Sequence, residues 1–129
     1  MNDISDAALV SALRRQMTVA AARQVVSASN LANVDTPGFK ARELDFAATL
    51  DQNLAAALAT THPGHLQAGA QAGPATQEAS DLPARRDGNT VQIDRELLQM
   101  TRAAGDFARA QTALAAKFRL VRYAISESR

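Results

Sequence analysis

Residues 93–125 read IDRELLQMTRAAGDFARAQTALAAKFRLVRYAI. Within them Ile93, Leu97, Met100, Ala104, Phe107, Gln111, Leu114, Phe118, Val121 and Ile125 recur at alternating spacings of four and three. That is the a/d pattern of a helix packing along a continuous seam. At 1.5 Å per residue the run predicts a helix of about 50 Å. Asp94 is placed to cap its start, with Ile93 stapling to Leu98 across the cap. Asp94 and Glu96 near the start, and Lys117, Arg119 and Arg122 near the end, agree in sign with the helix dipole. Two seam positions are weak: Ala104, which Gly105 follows, and the polar Gln111. A seam amide either fixes register at a cost in stability or sits at a partly exposed border, and the spacing admits both. Off the seam, Leu98, Ala108, Ala115 and Leu120 widen the apolar surface beyond what one neighbouring helix covers.

A partner for that seam lies at the other end of the chain. Between residues 5 and 33, Leu9, Val10, Leu13, Met17, Ala20, Ala21, Ala28, Leu31 and Ala32 share one side at 100° per residue. Arg15, Thr18, Ala22 and Arg23 fall mostly on the other side. The alanines let a second helix approach closely, and no glycine or proline interrupts the run before Asn33.

The stop signal that follows has a mechanism. Asn33 tolerates the left-handed conformation at a helix C-terminus. Thr36 precedes Pro37 and is pushed out of the α region. Pro37 and Gly38 then suit positions i+1 and i+2 of a type II turn from Thr36 to Phe39. Beyond it, Phe39, Leu44 and Phe46 are placed to pack back, and Leu50, Leu54 and Leu58 predict a short helix over 47–58. Residues 59–90 are poor in large apolar side chains and hold three of the four prolines. Such a composition does not repay the entropy of ordering, so a flexible loop is expected, with a small extended excursion as the alternative.

The expected fold is therefore all-α. Long N- and C-terminal helices pair as a coiled-coil-like hairpin around a flexible Ala/Gly/Pro-rich middle loop. Residues 1–58 carry the first helix, the turn and a short second helix, 59–90 the loop, and 91–129 the heptad helix. Both termini build one structural domain, which is expected to finish folding on assembly.

Composition excludes most chemistry. The chain has 129 residues, is 47% hydrophobic but only 4% aromatic, and carries 14 basic against 13 acidic side chains. Near-neutral charge disfavours a dedicated nucleic-acid binder, and the basic pairs Arg14-Arg15 and Arg85-Arg86 lack interleaved aromatics. Cysteine is absent, which removes disulfides and thiolate chemistry. His62 and His65 form an H-x-x-H pair in the loop, without a third ligand or a rigid frame for a metal. Neither a phosphate-binding glycine loop nor a paired-carboxylate site is evident. No enzyme, cofactor or metal centre is expected, and no run is long enough to span a membrane. The acidic N-terminus is unlike a secretory signal, so export without a cleaved signal is expected if the protein leaves the cytoplasm.

Ser29-Asn30-Leu31-Ala32-Asn33-Val34-Asp35-Thr36-Pro37-Gly38-Phe39-Lys40 is specific where the rest is generic. It resembles the N-terminal signature of the axial proteins of the bacterial flagellum, the rod, hook and hook-associated proteins. Ala41 to Phe46, and the stretch from Gly88-Asn89-Thr90-Val91 through Phe118 to Ile125, look like those of a proximal rod subunit. The resemblance covers roughly 1–58 and 88–126. Distal rod and hook proteins carry inserted domains for which this chain has no room. Phe39 and Phe107 depart from the tyrosines common in the family, which keeps packing but loses a hydroxyl.

The resemblance implies paired terminal helices stacked helically into a hollow tube at the base of the rod. It implies export unfolded through the flagellar type III apparatus into the periplasmic basal body. The partners it implies are other copies of the chain, other rod proteins, the rod adaptor and the type III export gate. Ser29, Asn30, Leu31, Ala32, Asn33, Thr36, Pro37, Gly38 and Phe39 are then expected to shape the turn and to meet neighbouring subunits. Part of the seam, with Leu98, Ala108 and Leu120, is expected to contact other subunits as well. Within the family the alternative is the second, neighbouring proximal rod protein. Alternatives from other classes are a soluble coiled-coil adaptor or export chaperone, and a hydrolase or metal-dependent enzyme using His62 and His65.

Overall fold

A computed structural model describes residues 6–45, 75–80 and 82–127. Helix α1 runs from Asp6 to Ala32, strand β1 from Arg42 to Leu44, strand β2 from Thr76 to Glu78 and helix α2 from Ile93 to Glu127. The helices pair with each other, and β1 packs on α1. The short helix expected over 47–58, Phe46 and both histidines lie outside the described residues.

The two helices run antiparallel, as their ion pairs show. Lys117 Nζ donates to Asp6 Oδ1 at 2.6 Å, and Arg23 lies 3.6 Å from Asp106. Arg95 of α2 holds Glu43 of β1 at 3.3 Å. These pairs are partly exposed, so their role is alignment more than stability. Apart from Asn30 at the end of α1 and Glu96 near the start of α2, the buried positions of the helices are small ones: Ala20 and Ser27 on α1, Ala103 and Ala110 on α2. Small side chains shorten the interaxial distance, which narrows the seam and leaves the larger residues at its edges.

That narrowing changes which half of the heptad pattern is used. Met100, Phe107 and Leu114 are half-buried, and their seam partners are Glu96, Ala103, Ala110 and Lys117, each one residue before an expected position. Leu97, Ala104, Gln111 and Phe118 are exposed, as are Ile93, Val121 and Ile125 at the two ends. The sequence pattern treats all ten as one seam. Within a single chain only alternate positions face α1, because Ala103 and Ala110 beside them allow the closer approach. On α1, Val10, Leu13, Met17, Ala21 and Leu31 are half-buried, while Leu9, Ala28 and Ala32 are exposed. Arg23, expected on the far side, stands at the interface through its ion pair.

Helix α2 also starts earlier than its cap chemistry suggests. The Gln92 carbonyl accepts the Glu96 N–H at 3.0 Å, so Gln92 holds the cap position and Asp94 falls in the first turn. Val91, 1% exposed, is fixed through its N–H to Asn89 Oδ1 at 2.7 Å. The chain is therefore aimed into helical geometry before Asp94. Ile93 and Leu98, both exposed, provide no staple.

Part of the stretch expected as flexible loop is ordered. β2 pairs antiparallel with β1, with Arg42 opposite Glu78, Glu43 opposite Gln77 and Leu44 opposite Thr76. Ala79 N–H to the Ala41 carbonyl (2.8 Å) and Asp45 N–H to the Ala75 carbonyl (2.9 Å) extend the ladder at both ends. Neither strand alternates apolar and polar residues, so composition gives no strand signal.

Candidate functional site

The signature residues meet where α1 ends, and the chain's own segment 85–91 closes over them. Asn30 is 1% exposed. Its side-chain amide donates to the Arg42 carbonyl at 2.8 Å, and its Oδ1 accepts the Arg42 N–H at 2.9 Å. An asparagine side chain thereby does for the open side of β1 what a neighbouring strand does elsewhere. Sequence reading placed Asn30 among the residues that shape the turn and meet neighbouring subunits. Its bond to Arg42 crosses twelve residues and has no local signal.

The last turn of α1 tightens as it ends. Asn33 N–H donates to the Asn30 carbonyl at 3.0 Å and Val34 N–H to the Leu31 carbonyl at 3.2 Å. Asn33 Nδ2 caps the Ser29 carbonyl at 2.9 Å, satisfying one of the acceptors a helix end leaves open. Thr36 N–H then donates to the Asn33 carbonyl at 3.1 Å, and Phe39 N–H closes on the Thr36 carbonyl at 3.2 Å. With Gly38 at φ +73°, residues Thr36-Pro37-Gly38-Phe39 form a type II turn. Pro37 and Gly38 are exposed, Phe39 and Leu31 half-buried, Ser29 and Ala32 exposed.

Asn89 carries no local sequence signal of its role. It is completely buried, and its Nδ2 lies 2.9 Å from the Asn33 carbonyl, 3.1 Å from that of Val34 and 2.9 Å from that of Thr36. Two amide protons thus serve three carbonyls, so at least one is shared. Its backbone is fixed as firmly, accepting from Arg85 N–H at 2.8 Å and donating to Asp87 Oδ1 at 3.1 Å. Around this hub, Gly38 N–H donates to the Asp87 carbonyl at 2.8 Å and Thr90 N–H to the Phe39 carbonyl at 3.0 Å. Ala41, 1% exposed, donates its N–H to Thr90 Oγ1 at 2.8 Å. Lys40 Nζ reaches the Gly88 carbonyl at 3.1 Å, and Arg85 donates to the Val34 carbonyl at 3.3 Å. The only sequence signal for this half was the resemblance of Gly88-Asn89-Thr90-Val91 itself.

Gly88 has φ +81°, and a Cβ there would stand 3.5 Å from Gly38 Cα. Two left-handed glycines therefore pass back to back at the clasp.

The polar atoms of the clasp are spent on one another: among the described residues no buried side-chain nitrogen or oxygen lacks a partner. No group of His, Asp and Glu among them converges on a metal position. Below the clasp, Arg23, Arg42, Arg95 and Arg102 share a groove with Glu43, Glu96 and Asp106, mixed in sign. No described helix is long and apolar enough to cross a membrane.

A helical hairpin whose loop end is locked by the flagellar signature defines the class. Residues 8–40, from within α1 to the end of the turn, match the family described as flagella basal body rod protein. Among curated proteins, the flagellar basal body rod protein FlgB of Escherichia coli is 39% identical over 70% of this chain and 75% of its own length. FlgB of Salmonella typhimurium is 38% identical at the same coverage. FlgB of Aeromonas hydrophila is 38% identical over 67% of this chain and 68% of its own. The chain belongs to the FlgB family of flagellar basal body rod proteins.

Proposed function

We propose that the chain is a structural subunit of the proximal rod of the flagellar basal body. The observation that carries this reading is the divided heptad of α2. Met100, Phe107 and Leu114 face the chain's own α1, whereas Leu97, Phe118 and the off-seam Leu98 and Leu120 stand exposed. One chain covers half of its own helix-packing pattern, and helical assembly with neighbours covers the rest. A heterologous interface that does not close builds a tube from repeated chains.

In this reading the partners are other copies and other rod proteins, with the rod adaptor and the type III export gate at the base. The subunit transmits torque and leaves a channel open for export. It resides in the periplasmic rod, reaches it by the flagellar type III route rather than by a cleaved signal, and performs no catalysis. The signature residues Ser29 to Phe39 set the geometry of the loop end, and their exposed members Ser29, Ala32, Asp35, Thr36, Pro37 and Gly38 meet neighbours. The test is recovery of the tagged protein with purified basal bodies after the membrane rings are stripped. Retention in a rod fraction is expected. Recovery only as a soluble closed oligomer would contradict the proposal and favour an adaptor.

A further inference from the structure

The far end of α2 differs from the rest of the hairpin. From Phe118 to Glu127 every residue is exposed, beyond the point where Lys117 pairs with Asp6. Phe118 is 56% exposed, Leu120 68% and Tyr123 66%. Phe118 and Val121 still line a shallow groove with Ala7 and Val10 of α1. At about 100° per residue, Leu120 projects to nearly the opposite side of the helix from Phe118. Apolar side chains on two sides of one helix do not lie flat on a lipid surface, which needs a single apolar face. They suit a helix enclosed by other helices.

The charges around them restrict which helices fit. Arg119 and Arg122 interleave with these apolar residues. Of the five carboxylates on the two described helices, Asp6 is committed to Lys117, Asp106 to both Arg23 and Arg109, and Glu96 is buried, while Asp94 and Glu127 are exposed. α1 carries three arginines against one acid, and α2 six basic against four acidic residues. The helices of a second copy laid beside this end therefore meet it with the same sign.

We propose that the 118–125 end of α2 docks a different chain, through a helix whose apolar seam is flanked by carboxylates. Copies of this chain then meet one another elsewhere on the hairpin. This rests on the rod-subunit reading and names the chemistry of the neighbour at one surface. Apolar burial supplies the attraction, and Arg119 and Arg122, which form no ion pair among the described residues, select the sign of the partner's flanks.

The test uses the full chain and two synthetic helical peptides with the same Leu/Ile seam, flanked by Glu in one and by Lys in the other. The Glu-flanked peptide is expected to bind at least about tenfold more tightly. That preference should shrink when NaCl rises from 50 to 500 mM, as screening requires. Arg119→Glu combined with Arg122→Glu, both exposed, should reverse it while leaving the circular dichroism unchanged. Equal binding of both peptides, binding of neither, tighter binding to phosphatidylglycerol vesicles, or self-association of the chain through this end at low salt would overturn the proposal. If basal bodies lacking the chain still fail to build a rod, the rod-subunit reading survives such a failure.

Discussion

The side-chain amide of Asn30 grips the backbone of Arg42 from both sides, donating to its carbonyl at 2.8 Å and accepting from its N–H at 2.9 Å. It fixes the distance between the end of α1 and the start of the strand pair on the side of β1 away from β2. Asn30→Ala strands both Arg42 groups in a part-buried place, a loss of about 1–3 kcal/mol. In native-state hydrogen exchange, protection at Arg42 and Ala41 should fall roughly tenfold or more, since about 1.4 kcal/mol is a factor of ten. Unchanged protection would mean that the strand ladder, and not Asn30, holds this joint.

Asn89 distinguishes donor from acceptor more sharply. Its Nδ2 faces three carbonyl oxygens, so Asn89→Asp puts a negative oxygen against them. Asn89→Ala only leaves the carbonyls without a donor. Aspartate should therefore damage rod assembly at least as much as alanine, despite being nearly isosteric. Motility in soft agar ranks the two variants, and full motility with Asp at this position would contradict the role assigned to the amide.

The glycines separate backbone strain from crowding. Gly38 has open space around the position of a Cβ, whereas one at Gly88 meets Gly38 at ordinary contact distance. At both, the positive φ is the main obstacle, worth roughly 1–2 kcal/mol for an ordinary L residue. Gly38→Val should impair rod assembly, while Gly38→Asn should be tolerated better because asparagine visits this conformation. Equal performance of valine and asparagine would remove the turn from the account.

The halves of the heptad should behave differently on substitution. Phe107→Ala and Leu114→Ala remove half-buried contacts with α1 and should lower the helical content of the isolated chain, by roughly 1–3 kcal/mol of pairing each. Leu97→Ser and Leu98→Ser alter exposed positions and should leave the isolated chain within about 0.5 kcal/mol of wild type. They should nevertheless block incorporation into the rod. Circular dichroism of the purified chains and the protein content of basal bodies provide the two readouts.

How much of this was legible beforehand depends on the range of the interaction. The helices announced themselves, because periodicity and the absence of breakers are local properties: α1 and α2 span nearly the residues expected. The Thr36–Phe39 turn was equally local, fixed by Pro37 and by the positive φ open to Gly38. What escaped was everything decided by contacts across dozens of residues. Asn89 reads as one more polar residue in an Ala/Gly/Pro-rich stretch until the carbonyls of Asn33, Val34 and Thr36 are placed around it. Strand β2 has no periodic signal and exists because its backbone meets β1. The heptad told which residues were apolar, and the small residues Ala103 and Ala110 decided which of them face inward. The exposed half is legible only once α1 is in place.

The central claim is that this chain is a rod subunit, and a clean deletion of its gene tests it most directly. Electron microscopy of basal bodies from the deletion strain should show membrane rings without a rod, with swimming lost. Both should return when the intact gene is supplied, and not when it carries Asn89→Asp. Complete rods and normal swimming in the deletion strain would contradict the account.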